Sequence, residues 1–594
     1  MTKWTVKNIK PAAGAIEYIT SRFKITPLAA EIMLARGLNN MDEADRYLNA
    51  GMESLYRLAD LPEVKKAFAL VLDEIKSGGK IVIYGDYDVD GVTSTVILCK
   101  ALRLLGGSVD YFIPDRHTDG YGLNPRAVRD IAQGGCSLLI TCDNGIAAKN
   151  EIDYARSMGL KVLILDHHEP PFEEKDGVRS FVIPAADAVV DMKIPSVNYP
   201  FRDLCAGGLC YKFVRELFAH CGKRLEIDDE LVVFAALATV CDVVALRDEN
   251  RIIAKSGLEI INRTISNRGL AALVNINNLG DKRITEFTFG FVIGPCINAG
   301  GRLEVAELAA RLFMSDSNEE CNELAQHLFD LNQERKDMTS QSVERLCAAA
   351  DNIDDRVLVM YDEQVDESIA GIVAGRLRER YNKPSIVLTQ SGGTAKGSGR
   401  SIETYDMFEE LSKHRELFIK FGGHKMAAGM SLEPDNVEPL RRALNDCCTL
   451  TPDDMERVLN VDKIIRLDEV SLFSARDMEL FKPCGSGNFE PLMGLVALNI
   501  VYLRFVGSEK NIAVMTVSDS TGNSVSAVMF DGAVLKEILC NYFGSSAVDE
   551  EGNLTVNISG IKIDVIASLQ VDDYNGFTKP KMMIKDVRLN KSCK

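Results

Sequence analysis

The chain has 594 residues, 46% hydrophobic and 26% charged, with a formal net charge of −18. That length predicts three or four domains with cores of their own, and the balance excludes a disordered or fibrous chain. The start has no signal-peptide stretch, the longest apolar run (Leu231 to Leu246) is short for a membrane span, and the 15 cysteines form no C-x-x-C pair. A cytoplasmic monomer without membrane contact is the expectation. The acidic sum argues against nucleic acid only weakly, because recognition depends on a local groove.

In chain order, residues 1–60 read as small helices, one of them ending at Gly37. From about 61 to 270 strands alternate with helices, as in a mostly parallel sheet. Ile81 to Tyr84 runs into Gly85-Asp86-Tyr87-Asp88-Val89-Asp90-Gly91, and Leu138 to Cys142 runs into Asp143-Asn144-Gly145. Val162 to Leu165 runs into Asp166-His167-His168, and a fourth run, Leu231 to Val240, leads to Asp242. All four apolar runs read as buried strands. Thr93 to Leu105 and Gly207 to His220 read as helices between them.

The resulting organisation is a 61–300 α/β lobe, a 301–352 helical connector and a second α/β lobe over 353–450. The second lobe carries two glycine-rich segments read as turns, Lys396 to Ser401 and Phe421 to Gly429. Over 455–594 short alternating runs with a helix between Gly532 and Phe543 predict a small barrel of the oligonucleotide-binding (OB) type. Of its aromatics Tyr502, Phe505 and Phe530, at least two read as core.

In open α/β sheets the ligand crevice lies beyond the carboxyl ends of the strands. The strand-end motifs should therefore converge, and crowded carboxylates repel one another unless cations lie between them. The predicted metal ligands are Asp86, Asp88, Asp90, Asp143, His167, His168 and Asp242, with Asp166 orienting an imidazole. Mixed nitrogen and oxygen donors favour Mn²⁺, with Mg²⁺ as the alternative, and two ions at such a hydrolytic site would clamp both oxygens of an in-line displacement. Alone, Asp242 reads equally well as a helix cap or turn residue, while a packed strand end is the lesser of the readings for the histidine pair. A calcium loop starting at Asp86 fails, because Ile97 stands where the bidentate glutamate belongs.

With those motifs in this order, the chain resembles the DHH phosphoesterase superfamily, named for the Asp166-His167-His168 triplet, and within it the single-strand-specific 5′→3′ DNA exonucleases. Further segments carry the likeness: Ile113 to Arg116, Gly120 to Leu123, Ile297 to Leu303, the two glycine-rich segments, and Gly485 to Pro491. Two positions depart from the family pattern. Tyr84 stands where a histidine is usual, and Asp366 to Gly371 replaces an H-x-G-V-I-G segment. The resemblance implies a catalytic DHH lobe, a DHH-associated substrate lobe and an OB-like barrel. It also implies catalytic roles for Asp143, His167, His168 and His424, and substrate contacts from Arg116 (to a 5′ phosphate), Asn298, Arg302, Ser398, Arg400, Gly423 and His424.

The activity so implied is hydrolysis of single-stranded DNA to mononucleotides in repair and recombination, with single-strand-binding protein and a helicase as partners. Two alternatives stand beside it: a phosphodiesterase for short oligonucleotides or cyclic dinucleotides, and an inactive single-strand-binding scaffold. The barrel speaks against the first and the intact acidic motifs against the second.

Overall fold

The structure is a computed structural model and describes residues 2–7, 12, 14–116, 118–120, 122–175, 178–558, 560–574 and 577–590. Tyr121, within the Gly120 to Leu123 segment, lies outside the described residues. The chain divides into two compact units, Gly51–Glu456 and Met1–Ala50 with Arg457–Lys594. Among the described residues no helix is long and apolar enough to cross a membrane.

In the Gly51–Glu456 unit, leucine-rich and β-branched runs form β1 (Lys80–Tyr84), β2 (Ser108–Phe112), β3 (Cys136–Cys142), β4 (Lys161–Leu165) and β5 (Ala188–Val190). They make one parallel sheet in the order β2-β1-β3-β4-β5. Because β1 hands on to β2 on one side while β3 lies on the other, the order reverses between β1 and β3. A crevice opens at that point beyond the strand ends. Helix α1 (Val89–Leu104) starts directly in the Gly85 to Gly91 turn, with the Asp88 carboxylate capping Gly91 N at 3.1 Å.

The run Leu231 to Val240 is not a strand. It lies in helix α3 (Asp228–Cys241), which packs beside α2 (Ala206–His220). A segment buried on every side has no face for periodicity to reveal. Its length, its alanines and the acidic first turn of Asp228, Asp229 and Glu230 decide for helix. Helices also begin earlier than expected: from Ala206 to Ala350 the lobe is helical, ending in α4 (Gly294–Leu303) and the long α5 (Asn318–Ala350).

The second lobe is a mixed sheet of β6 (Leu358–Tyr361), β7 (Ser385–Ser391), β8 (Thr394–Arg400), β9 (Phe418–His424) and β10 (Ala427–Leu432), with α6 (Ala370–Tyr381) packed on β7 and β8. Its order is β9-β10-β8-β7-β6. The two glycine-rich segments are therefore strands and a hairpin, not turns. Glycine is required there by close backbone approach: a Cβ on Gly397 would lie 1.8 Å from Val387 O, and one on Gly423 2.3 Å from Ala427 O.

In the other unit, β11 (Met493–Val506), β12 (Ile512–Ser518), β13 (Ser524–Met529), β14 (Lys562–Tyr574) and β15 (Phe577–Leu589) run in the order β11-β12-β13-β15-β14 and close by pairing β11 with β14. A strand, Lys3–Val6, joins this unit by pairing with Val458–Val461, so the first residues are not all helical. Arg36 forks onto Asp462 at 2.9 and 3.2 Å and donates to Phe489 O, fixing the Gly485 to Pro491 element. Of the three barrel aromatics only Phe505 is core, while Tyr502 and Phe530 are 52% and 67% exposed. A bulge between Ile500 and Tyr502 sets Leu503 and Phe505 inward and leaves Tyr502 outside.

Candidate active site

The parallel sheet delivers its strand-end residues to one place. Asp86 follows β1, Asp143 follows β3, and Asp166-His167-His168 follow β4, while Asp90 enters from the first turn of α1 and Asp242 from the end of α3. His167 Nε2 lies 3.1 Å from Asp143 Oδ1, 3.6 Å from Asp90 Oδ2 and 3.8 Å from Asp242 Oδ2. Three overlapping groups, Asp86–Asp88–Asp143, Asp90–His167–Asp242 and Asp143–His167–His168, each bring ligand atoms within 4.8 Å of one another.

Asp166 holds the histidine pair in place. Its Oδ1 accepts from His167 N at 2.7 Å and contacts His168 Nδ1 at 2.8 Å, while Oδ2 accepts from Ile146 N at 2.9 Å. Asp90 is fixed by the amides of Ala206 and Gly207 at 2.8 and 2.6 Å, where α2 begins. Asn144 ties the Asp143 turn to β1 by donating to Gly85 O at 2.9 Å. Asp143 itself sits at φ 63°, a left-handed conformation that aspartate tolerates better than most residues.

Burial and mutual repulsion push the carboxyls up: Asp86 and Asp242 to about 8, Asp90 to about 7, and Asp143 well above the ordinary range. Burial also opposes charge on both histidines, taking His167 down to about 3. For His168 the hydrogen bond and charge of Asp166 outweigh burial and raise it to about 9. Burial works against the Asp166 charge as well, but its bond to His168 wins and holds the carboxyl below the usual range. Asp86 Oδ1 is buried without a hydrogen-bond partner among the described residues. A cluster of mutually repelling acids with an orphaned acceptor and a neutral imidazole fits divalent cations, and the mixed donors suit Mn²⁺ or Mg²⁺.

Across from the acids lie guanidinium groups. Arg116 stacks over the Tyr87 ring at 4.1 Å, with its Nε buried and unpartnered among the described residues. Arg302, on α4, donates to Ser368 O at 2.7 Å, and burial together with Arg116, Arg335 and Arg400 lowers it to about 10. Arg400 reaches the start of α6, where a Cβ on Gly371 would lie 2.8 Å from Arg400 Nη2 and 3.4 Å from Ser398 Oγ. Asn298 is half-buried on α4. His424 and Gly423 are exposed on β9; the described hydrogen bond of His424 is local, its Nδ1 accepting from Met426 N at 3.2 Å. Among the described residues it makes no ion pair with the acids.

The two departures from the family pattern are structural. The Tyr84 hydroxyl donates to Gly122 O at 3.0 Å, and Asp366 caps Ser368 N at 2.8 Å. Sequence reasoning missed Asp191, buried at the end of β5, with Oδ1 taking Lys193 N at 2.7 Å and Oδ2 unpartnered among the described residues. Its signal was the same as its neighbours', a short apolar run ending in aspartate. Arg378, whose Nε is buried and unpartnered among the described residues, gave no signal, since an arginine on a helix reads as solvated.

Family models described as DHH family, N-terminal domain, DHHA1 domain and RecJ OB domain match residues 80–239, 354–450 and 461–586. A curated relative, the single-stranded-DNA-specific exonuclease RecJ of Bacillus subtilis, is 34% identical over 99% of this chain and 71% of its own length. The chain belongs to the RecJ family. The fold of RecJ from Thermus thermophilus solved with Mn²⁺ superposes with a TM-score of 0.80 at 24% identity, over 99% of this chain and 79% of that one. An exonuclease RecJ structure bound to manganese is 29% identical, with a TM-score of 0.57 over 67% of this chain and 97% of that one.

Proposed function

We propose that this RecJ-family chain is a metal-dependent exonuclease that hydrolyses single-stranded DNA from its 5′ end, releasing mononucleotides. The observation that carries the reading is the pairing of a carboxylate–imidazole cluster with a guanidinium cluster inside one compact unit. The metal ligands are Asp86, Asp88, Asp90, Asp143, His167, His168 and Asp242; a bound ion pair would supply an ionised water and charge neutralisation at the scissile phosphate.

The remaining chemistry belongs to the chain. Asp166 fixes His168, and through the His167 amide it fixes the loop that carries both rings. Arg116, Arg302 and Arg400 form an anion seat with the Ser398 hydroxyl, suited to a terminal 5′ phosphate. A terminal phosphate seated there sets polarity, because only a strand end reaches it. Asn298, Gly423 and His424 complete the substrate path, His424 moving or donating only once substrate is present. Specificity for a single strand is carried over from the curated relatives, with which this chain shares a DHHA1 domain and a RecJ OB domain.

The test uses the full chain with Mn²⁺ and a single strand labelled at either end, beside a blunt duplex. Release of mononucleotide from the 5′ end of the single strand alone, absent in Asp143→Ala and His167→Ala, is expected. Binding without cleavage by the wild-type chain would replace the enzyme by a scaffold, and preference for a dinucleotide would replace it by a short-substrate phosphodiesterase.

A further inference from the structure

We propose that Phe287 and Phe291 form a base-stacking platform beside the metal-binding acids, which holds a nucleobase of the single strand; this deepens the exonuclease reading and rests on it. The two rings stack on each other at 4.8 Å with an interplanar angle of 20°, yet they are 62% and 66% exposed. They do not lack a core to enter. The segment is one helical turn (Glu286–Thr288) running into a π-helical turn (Phe289–Ile293), and it buries Phe289 and Ile293 completely. Phe287 and Phe291 are the pair the same backbone turns outward. Single π turns inside helices recur at functional sites, where the wider turn re-aims side chains.

Position ties the pair to the reaction. Cys241 Sγ donates to Phe289 O at 3.4 Å, and a Cβ on Gly290 would lie 3.7 Å from Val240 Cγ1. The π turn is thus seated on the last turn of α3, whose next residue is Asp242. The Asp242 side chain is 24% exposed, against 5% for Asp143 and 1% for Asp90, so solvent reaches the cluster at Asp242 as it does at His168, whose side chain is 43% exposed. Val243 follows with φ 59° and 68% exposure, a β-branched residue in a left-handed conformation normally left to glycine. Exposed apolar groups therefore flank the mouth of the acidic cluster.

The occupant follows from the rings and their position. Stacking on an aromatic face needs no charge and tolerates every sequence, and a nucleobase is the flat surface that a single strand brings to this place when its phosphate is at the acids' metal ions. The platform would hold the strand by its bases, beside the groups that would hold its phosphates.

The experiment compares wild type with Phe287→Ala/Phe291→Ala and Phe287→Leu/Phe291→Leu in the full chain with Mn²⁺. Three substrates are used: a single strand, the same strand with an abasic site placed in turn at each of the first few positions, and bis(p-nitrophenyl) phosphate. The alanine pair is expected to raise KM for the strand by roughly 5- to 100-fold with the salt dependence of KM unchanged, and to leave the small diester untouched. At one abasic position wild type should lose the same factor and the variant nothing more, and the leucine pair should fall between. An unchanged KM, or a penalty equal on every abasic strand, would overturn the platform, the second by making the rings a structural or protein-facing element. Quenching of 2-aminopurine in the bound strand gives a separate readout. If wild type cleaves nothing, the exonuclease reading fails, while quenching lost in the alanine pair still supports the platform and its absence in wild type still overturns it.

Discussion

Two regions of the Gly51–Glu456 unit carry opposite problems. At the ends of β1, β3 and β4 the fold gathers acids whose burial and repulsion raise Asp86, Asp90, Asp143 and Asp242 together. Around the start of α6 and β8 it gathers arginines: burial and neighbouring guanidiniums lower Arg302, and burial and Arg378 lower Arg400. His168 offsets part of the acids' charge, and the imbalance left in each cluster marks a binding function rather than a structural one. The difference teaches which ligand each awaits, cations on one side and phosphate on the other. A nucleic-acid strand with its metal ions relieves both at once.

The largest effect should come from breaking the acidic side. Asp143→Asn removes a carboxylate shared by two of the three ligand groups, and strand hydrolysis should fall to background. Asp166→Asn keeps every ligand group but loses the hold on the histidine pair, so a loss of roughly 10- to 100-fold is expected. Steady-state rates over a Mn²⁺ titration separate them. Excess Mn²⁺ should partly restore Asp166→Asn and do nothing for Asp143→Asn; equal behaviour would mean that Asp166 is itself a ligand.

The basic side should break differently. Arg400→Ala is expected to raise KM for a 5′-phosphorylated strand by about 10- to 100-fold, the size of a lost charge-assisted contact. A strand ending in a 5′ hydroxyl should feel the substitution much less. The comparison of the two strands is the measurement, and an equal penalty on both would place Arg400 along the backbone instead of at the terminus.

How far the sequence revealed these two regions follows from how each is built. Asp86, Asp143 and the histidine pair were legible because short apolar runs ending in aspartate are the signature of parallel strands meeting a crevice. Asp191 obeys the same rule, but three residues of β5 are too few to announce a strand. Asp242 was found for the wrong reason, since a fully buried segment hides its period and α3 passed for a strand. The arginine side was legible only through family motifs. Its glycines serve strand packing, as at Gly397 against Val387 O, and not the loop geometry that glycine runs suggest. Whether an aromatic faces inward is decided locally, by the bulge before Tyr502 and the π turn that holds Phe291, which is why Tyr502 and the Phe287–Phe291 pair could not be assigned beforehand.

The smallest effect, and the one that sharpens the contrast most, is on stability without metal. Asp86 and Asp242 titrate near 8 and Asp90 near 7 in the fold, against 3.8 for a free carboxyl. Groups raised in this way stabilise fully below 3.8, and that contribution is lost as pH climbs through 7 and 8. His168, raised from 6.5 to about 9, has the same sign and loses its contribution as pH rises through 9. His167, depressed to about 3, is neutral in both states above 6.5 and adds no slope there. The metal-free chain should therefore melt at progressively lower temperature between pH 6.5 and 9, and saturating Mn²⁺ should raise Tm and flatten the trend by replacing protons at the same oxygens. Asp143→Asn removes one repelling carboxyl and should melt higher than wild type without metal, while responding less to Mn²⁺. Differential scanning calorimetry across that pH range decides it: a metal-free Tm that holds or rises would mean the acids are neutralised from within, and the contrast between the two regions would collapse.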